Sequence, residues 1–511
     1  MKRRYFLLAL LIAVITAGGC KKFLEEDPTF LVKENYYTND REVAAALTGV
    51  YDILSQEAMW GGQIPIRHNA TTDESYFSYQ TFPTGPFRNN HDPSDTYVAA
   101  LWKNLYTGIE RANTLLSKID STNMDGNKKS IAKGQALFLR AFYYFTLVQY
   151  YGDVPLKLTP TESINETDIA RTPAKQVYEQ IITDMKDAEA RVKTAAAINN
   201  SGEVSKSTVR GILARVYLTM AGAPLHDTEK FKDALEYAKK VKESGEHVLN
   251  PIYQNIFINE CQDIEDYKEC IWEAECNGAN EDEFREGGRI GNENGVLCRA
   301  NSFAVVGYAY GFNSTTYKLF NLFTAADVRR DWAISTYTMD TAGVKKAIAA
   351  TSIYNRNCNK WRREYELVSP KNKNYTPTNF PMLRYADVLL MHAEAENEVN
   401  GATASGLESL NLVRKRAGLP DTTIADQDGL RVEIRNERAR ELCFEGLRRH
   451  DLVRWGIYVQ AMHDAADEIV NMKGPAYAAI NASNVSQRHL LYPIPLTEMS
   501  LNKKMVQNPY W

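Results

Sequence analysis

At 511 residues, with 44% hydrophobic and 24% charged side chains, the chain has the composition of a globular protein and can bury a large core. Its formal net charge of -4 leaves no basic surplus for neutralising phosphates, which argues against a nucleic-acid partner. Past the first twenty residues the best membrane-span candidate, 138–156, is interrupted by Arg140, Gln149 and Asp153, so no transmembrane helix is expected.

The chain opens on a leader. Lys2, Arg3 and Arg4 precede an apolar run from Phe6 to Ile15, and Ala17-Gly18-Gly19 places small residues directly before Cys20. A basic start, a short apolar core and a small-residue exit mark a secretory signal, too short to stay as a membrane span. Small residues ending on a thiol point to 1–19 as a lipoprotein signal peptide and to Cys20 as the lipidated first residue of the mature chain. Ala17 stands where a lipobox usually has a larger aliphatic residue, and an ordinary cleaved signal is the weaker reading. Residues 20–511 are expected to form one body tethered to a membrane by acyl chains.

Beyond the leader the apolar periodicity is mainly helical, and the expected helices come in pairs. Residues 42–56 pair with 97–119, where Leu101, Leu105, Ile109, Ala112 and Leu116 recur at helical spacing. Residues 128–151 pair with 173–193, which begins on Pro173 after Thr172 as cap, and 205–221 pair with 228–244. A fourth pair is 382–399 with 405–417, followed by 430–447. Small and aromatic residues at close intervals, as in Ala136, Arg140, Ala141 and Tyr144, let neighbouring backbones approach, as stacked helix-turn-helix units of the tetratricopeptide type require. The fold class expected is therefore mainly α: about four such pairs forming a scaffold over 40–250 and 380–460, with a C-terminal segment over 461–511. Loop-rich insertions interrupt it at 57–96 and 251–380, the latter with a strand-like run at 269–275. Loops of this length are usually functional or disordered, and their aromatic content argues for function.

The densest charge cluster, 431–454, spaces acids and bases three or four apart, which reads as a structural ion-pair network. His392 and Glu396 share a helix face but lack a third ligand, so scaffold is preferred to metal. The six cysteines beyond Cys20 fit no zinc spacing; Cys443 reads as a buried small hydrophobe, and a bridge among Cys261, Cys270, Cys276 and Cys298 is left open. No phosphate loop, nucleophile elbow or zinc-protease helix is present, and the 64 acids are no evidence of a hydrolytic pair.

Several blocks in order carry a resemblance. They are Cys20-Lys21-Lys22-Phe23-Leu24 with Pro28; Trp102, Tyr106, Ile109 and Asn113; Phe138-Leu139-Arg140-Ala141-Phe142-Tyr143-Tyr144 leading to Tyr151-Gly152-Asp153-Val154-Pro155-Leu156; and Leu383-Arg384-Tyr385-Ala386-Asp387-Val388 with Ala393-Glu394-Ala395 and Arg416-Ala417-Gly418. Glu437-Arg438-Ala439-Arg440-Glu441-Leu442, Arg454-Trp455-Gly456, Tyr492-Pro493-Ile494-Pro495 and Gln507-Asn508-Pro509 complete the series. Together they resemble the SusD/RagB family of surface lipoproteins of Bacteroidetes. The resemblance implies an outer-membrane, cell-surface protein without catalytic activity or cofactor, which captures glycan and delivers it to a SusC-like TonB-dependent transporter. Some relatives serve peptide uptake in RagAB-like systems, which is the alternative cargo; a surface glycoside hydrolase is the alternative from another class.

A sugar ring offers an apolar C–H face and a rim of hydroxyls, so its site needs flat aromatic rings beside hydrogen-bonding side chains. Two loops supply this mixture, one between Trp60 and Thr96 and one around Tyr308, Tyr310 and Phe312. The expected glycan-binding residues are Asp73, Tyr76, Phe82, Phe87, Asn90, His91, Tyr308 and Tyr310. No catalytic and no metal-binding residue is expected.

Overall fold

The computed structural model describes residues 37–163, 166–278, 287–300 and 306–511; the leader, Cys20 and the stretch through Pro28 lie outside the described residues. Counting helices of seven residues or more, α1 (Asp40–Ser55) packs on α2 (Thr96–Lys118), α3 (Gly126–Tyr151) on α4 (Ala174–Arg191), and α5 (Lys206–Ala221) on α6 (Lys230–Lys242). Then come α7 (Tyr253–Gln262) and the pair α8 (Tyr385–Asn400) with α9 (Ala404–Arg416). Contacts of α2 with α3, α4 with α5 and α6 with α8 stack the four pairs in series. The expected tetratricopeptide-like scaffold is thus the observed one.

Local chemistry explains where these helices start. Asn39, Asp95, Asp125, Ser205 and Thr403 each accept a hydrogen bond from a free backbone N–H of the first turn. Close packing follows from small residues. A Cβ on Gly108 of α2 would lie 2.5 Å from the Tyr143 ring of α3. Helix α3 is buried along most of its length, and Tyr143 and Tyr151 donate to the Val50 and Val98 carbonyls at 2.6 and 2.7 Å, tying it to α1 and α2.

Among the described residues the strands form three antiparallel ribbons: β1 (Ser75–Phe77) with β3 (Asn313–Thr315), β2 (Cys270–Ala274) with β6 (Phe380–Arg384), and β4 (Tyr337–Met339) with β5 (Lys345–Ala347). After α9 come α10 (Gln427–Leu442), α11 (Arg448–Arg454), α12 (Tyr458–Asn471) and α13 (Ala476–Ser483).

Several boundaries differ from expectation. Met382 to Arg384 belong to β6, because Arg384 and Leu383 pair with Cys270 and Trp272. The helix expected over 430–447 ends at Leu442: Phe444 and Gly446 turn left-handed, and Gly446 passes against Pro65. Within the expected loop 251–380, Tyr253–Gln262 is a helix that buries Tyr253, Ile256, Phe257 and Cys261.

The acids and bases of 431–454 form the expected network and extend it well outside that segment. Arg384 donates to Glu269, Glu441 and Glu445 at 2.8–2.9 Å, Arg329 to Asp327, Glu437 and Glu441 at 2.6–3.0 Å, and Arg438 to Asp387 and Asp451 at 2.7 and 2.8 Å. His392 is hydrogen-bonded to Ser409 at 2.9 Å, and Glu396 accepts from Thr403 at 2.8 Å, so both serve the α8–α9 contact. All six described cysteines are buried, Cys443 among them; with Cys261, Cys270 and Cys298 as thiols, the bridge left open among Cys261, Cys270, Cys276 and Cys298 is not formed.

Candidate functional site

The β1–β3 ribbon brings the two aromatic loops together, with Ser75 opposite Thr315, Tyr76 opposite Ser314 and Phe77 opposite Asn313. Alternate residues of an extended segment face opposite ways. Phe77 and Tyr79 turn to one side, where both rings meet Phe312 at 5.0 and 4.7 Å; Tyr76 and Ser78 turn to the other.

On the first side the packing is layered. Phe77, Phe87 and Phe312 form the buried layer, and the Arg67 guanidinium lies 5.0–6.0 Å from the rings of Phe77, Phe82, Phe87, Tyr97 and Phe312. Its charge is answered by Glu293 at 2.9–3.0 Å, which keeps a cation affordable in that setting. Above it lies a half-buried row of rings: Tyr79 is 5.7 Å from both Phe82 and Tyr310, and Tyr310 is 5.0 Å from Tyr308. The Arg299 guanidinium donates to the Tyr308 hydroxyl at 2.6 Å and sits 5.4 and 5.6 Å from the two ring centres. The 79–90 turn is held by Arg88, which donates to the Tyr79 and Phe82 carbonyls at 2.8 and 3.0 Å. Exposed Asn90 accepts from the Gly85 N–H and donates to the Pro83 carbonyl, both at 3.0 Å. Gly85 has φ +142°, and a Cβ there would meet the Phe87 ring at 2.5 Å.

On the second side, a groove of about 470 Å³ has Tyr76, Tyr354 and Tyr477 among its walls, with Ser352, Asn355 and Thr338 nearby. Tyr76 is 6.1 Å from Tyr354 and 6.2 Å from Tyr477, and its hydroxyl donates to the Tyr354 carbonyl.

Of the eight expected residues, Phe82, Tyr308 and Tyr310 join the half-buried row, Asn90 is exposed beside it, and Tyr76 floors the groove although only 2% exposed. Asp73, Phe87 and His91 are corrected to framework. Asp73 is fully buried, accepting from Arg448 and Lys318 at 2.8 Å; burial opposes its charge, but the two cations hold the carboxyl well below the usual range. Phe87 fills the buried aromatic layer. His91 packs against Tyr492, Trp511 and His489 at 4.9, 5.0 and 5.6 Å, and burial pushes its pKa well below the ordinary value. Tyr79 lies in the first expected loop but was not among the eight, and Arg299, Tyr354 and Tyr477 were not expected. Their one local signal is Gly474-Pro475 ahead of Tyr477, where a Cβ on Gly474 would lie 2.8 Å from the Tyr354 ring.

Comparison with known proteins fits this architecture. A family model described as "SusD family" matches residues 268–511, and one described as "Starch-binding associating with outer membrane" matches residues 22–218. The chain is 26% identical over 520 residues to SusD-like protein P2 of Formosa agariphila, covering 98% of each. It is 34% identical over 134 residues, 26% of this chain and 22% of the other, to the starch-binding protein SusD of Bacteroides thetaiotaomicron. A crystal structure of a SusD homologue from Bacteroides thetaiotaomicron superposes with a TM-score of 0.87 at 30% identity, over 95% of this chain and 100% of that one. A laminarin-binding SusD-like protein shares the fold at a TM-score of 0.73 and 24% identity, over 93% of this chain and 100% of its own. Matched over 95% of its length by a 30% identical SusD homologue, and by two such models over separate stretches, this chain belongs to the SusD family.

Proposed function

We propose that this protein is a non-catalytic glycan-binding lipoprotein of the outer-membrane surface, anchored through Cys20 after removal of residues 1–19. Residues 20–511 act as one body that captures oligo- or polysaccharide and passes it to a SusC-like TonB-dependent transporter. The observation that carries the binding reading is the half-buried row Tyr79, Phe82, Tyr310 and Tyr308 with the Arg299 guanidinium alongside, which offers ring faces for C–H contacts and donors for hydroxyls. The names of relatives, one starch-binding and one laminarin-binding, support a glycan cargo. The match to a model described as associating with the outer membrane supports the location. A binding role also suits three nearby carboxylates that bases engage: Glu293 by Arg67 and Arg289, Glu366 by Arg363, and Asp73 by Arg448 and Lys318.

The test is a panel of polysaccharides and peptides assayed by calorimetry. Replacing both Tyr79 and Tyr310 with alanine is expected to weaken glycan binding about tenfold, since each aromatic contact is worth roughly 0.5–1.5 kcal/mol, and to leave the melting temperature nearly unchanged. Equal losses of affinity and melting temperature would return these rings to the core. Binding of peptides alone would move the protein to the peptide-uptake branch, and sugar release abolished by one acidic substitution would make it a hydrolase.

A further inference from the structure

We propose that the ligand is a polymer longer than the Tyr79–Tyr310 row: the groove of Tyr76, Tyr354 and Tyr477 is a second sugar-binding platform, and one chain crosses residues 78–80 to occupy both. This rests on the glycan reading above and specifies the class of glycan, an internal stretch of polysaccharide rather than a short oligosaccharide.

Continuity between the two platforms comes first. Strand alternation sends Tyr76 and Ser78 to the groove and Phe77 and Tyr79 to the opposite side, where Tyr79 joins the row above buried Phe77, so the platforms share one short stretch of backbone. The Tyr477 hydroxyl donates to the Ser78 carbonyl at 3.3 Å. Arg88 joins the two sides, with its guanidinium 5.7 Å from the Tyr477 ring centre while it donates to the Tyr79 carbonyl at 2.8 Å.

The groove also has the chemistry of a sugar site. Its volume, about 470 Å³, falls in the range of small-ligand clefts. Buried Tyr76 is the floor, half-buried Tyr354 and Tyr477 are the walls, and exposed Asn355 with Ser352 and Thr338 supplies hydroxyl and amide partners at the rim. The wall rings are held in place before any ligand arrives. The Tyr354 hydroxyl donates to Glu468 at 3.4 Å, and Gly474 lets the chain pass close against its ring. Rings fixed in advance lose little entropy on contact, which favours binding.

The experiment takes the polysaccharide that binds best in the panel, cuts it into a size ladder from disaccharide upward, and measures affinity by calorimetry. Wild-type affinity is expected to keep rising with length beyond the shortest binding fragment. Tyr354→Ala and Tyr477→Ala are expected to remove that rise, costing about tenfold on the longest fragments and little on the shortest, whereas Tyr310→Ala weakens every length. Asn355→Arg, an exposed rim change that fills the groove without touching its packing, is expected to act like Tyr354→Ala and guards against a folding defect. Affinity that plateaus at the shortest fragment, or that stays length-dependent in Asn355→Arg, overturns the inference and leaves the glycan reading standing. Silence of the wild-type protein across the whole panel would sink both.

Discussion

Neighbouring side chains in the same loop do different work. Phe77 faces the buried layer under Arg67, while Tyr79, two residues on, keeps part of its ring at the surface. Four histidines belong to the framework. His68 and His450 are pushed down to about 3, and His489 and His392 to about 4, in each case chiefly by burial, with nearby cations such as Arg449 reinforcing the first three. Each is uncharged in the fold and takes up a proton on unfolding at about its ordinary 6.5. Their contribution is therefore complete above pH 6.5 and is lost as pH falls toward their folded values, by about 1.4 kcal/mol per pH unit per histidine. Glu74 and Glu273, raised to about 8 mainly by burial, act in the opposite sense, favouring the fold as pH falls below 8. Proton resonances of the buried imidazoles should keep their neutral shifts at pH 5; protonated shifts there would refute the assignment.

Between elements, the buried ion pairs act as rivets. Arg384 at the end of β6 reaches Glu269 ahead of β2, Glu441 on α10, and Glu445 beyond it, all four side chains nearly inaccessible. Arg384→Met would leave three acids short of a partner, and denaturant unfolding is expected to show a loss of about 3–5 kcal/mol. A loss below about 1 kcal/mol would mean that Arg329, Arg416 and Lys360 already suffice for these acids. Helices and their pairing were legible because apolar spacing is a local signal, and Leu101, Leu105, Ile109 and Ala112 do lie on the buried face of α2. The expected Thr172 cap is not formed: Pro173 stands at the start of α4 without a side-chain cap, and Asp153 accepts from the Ala174 N–H instead. The break after Leu442 was not legible, since Gly446, left-handed, passes against Pro65, far back in the chain. The two aromatic loops that the β1–β3 ribbon joins were identifiable from their composition. Which rings reach the surface was not, because Tyr354 and Tyr477 meet Tyr76 and Ser78 across 278 and 399 residues of chain. Asp73 and His91 look like ligand partners in sequence, yet tertiary contacts bury both.

For the molecule as a whole, the thiols give a plain test. A protein proposed to work outside the cell buries all six described cysteines, with burial pushing the thiols of Cys261, Cys358 and Cys443 well above their ordinary range. Stability should then owe nothing to cross-links: adding reductant is expected to leave the melting temperature unchanged, and a thiol-reactive dye should label these six only after denaturation. A shift on reduction would reveal a bridge absent from this structure. The layered aromatic surface carries a consequence of its own. Because the interlocked lower layer of Phe77, Phe87, Phe312 and Arg67 bears the structural burden, substitutions at Tyr79, Phe82, Tyr308 and Tyr310 are largely uncoupled from foldability. Duplicated copies of such a gene could drift toward new cargoes by exchanging a few rim side chains, with selection acting on taste rather than on survival of the fold.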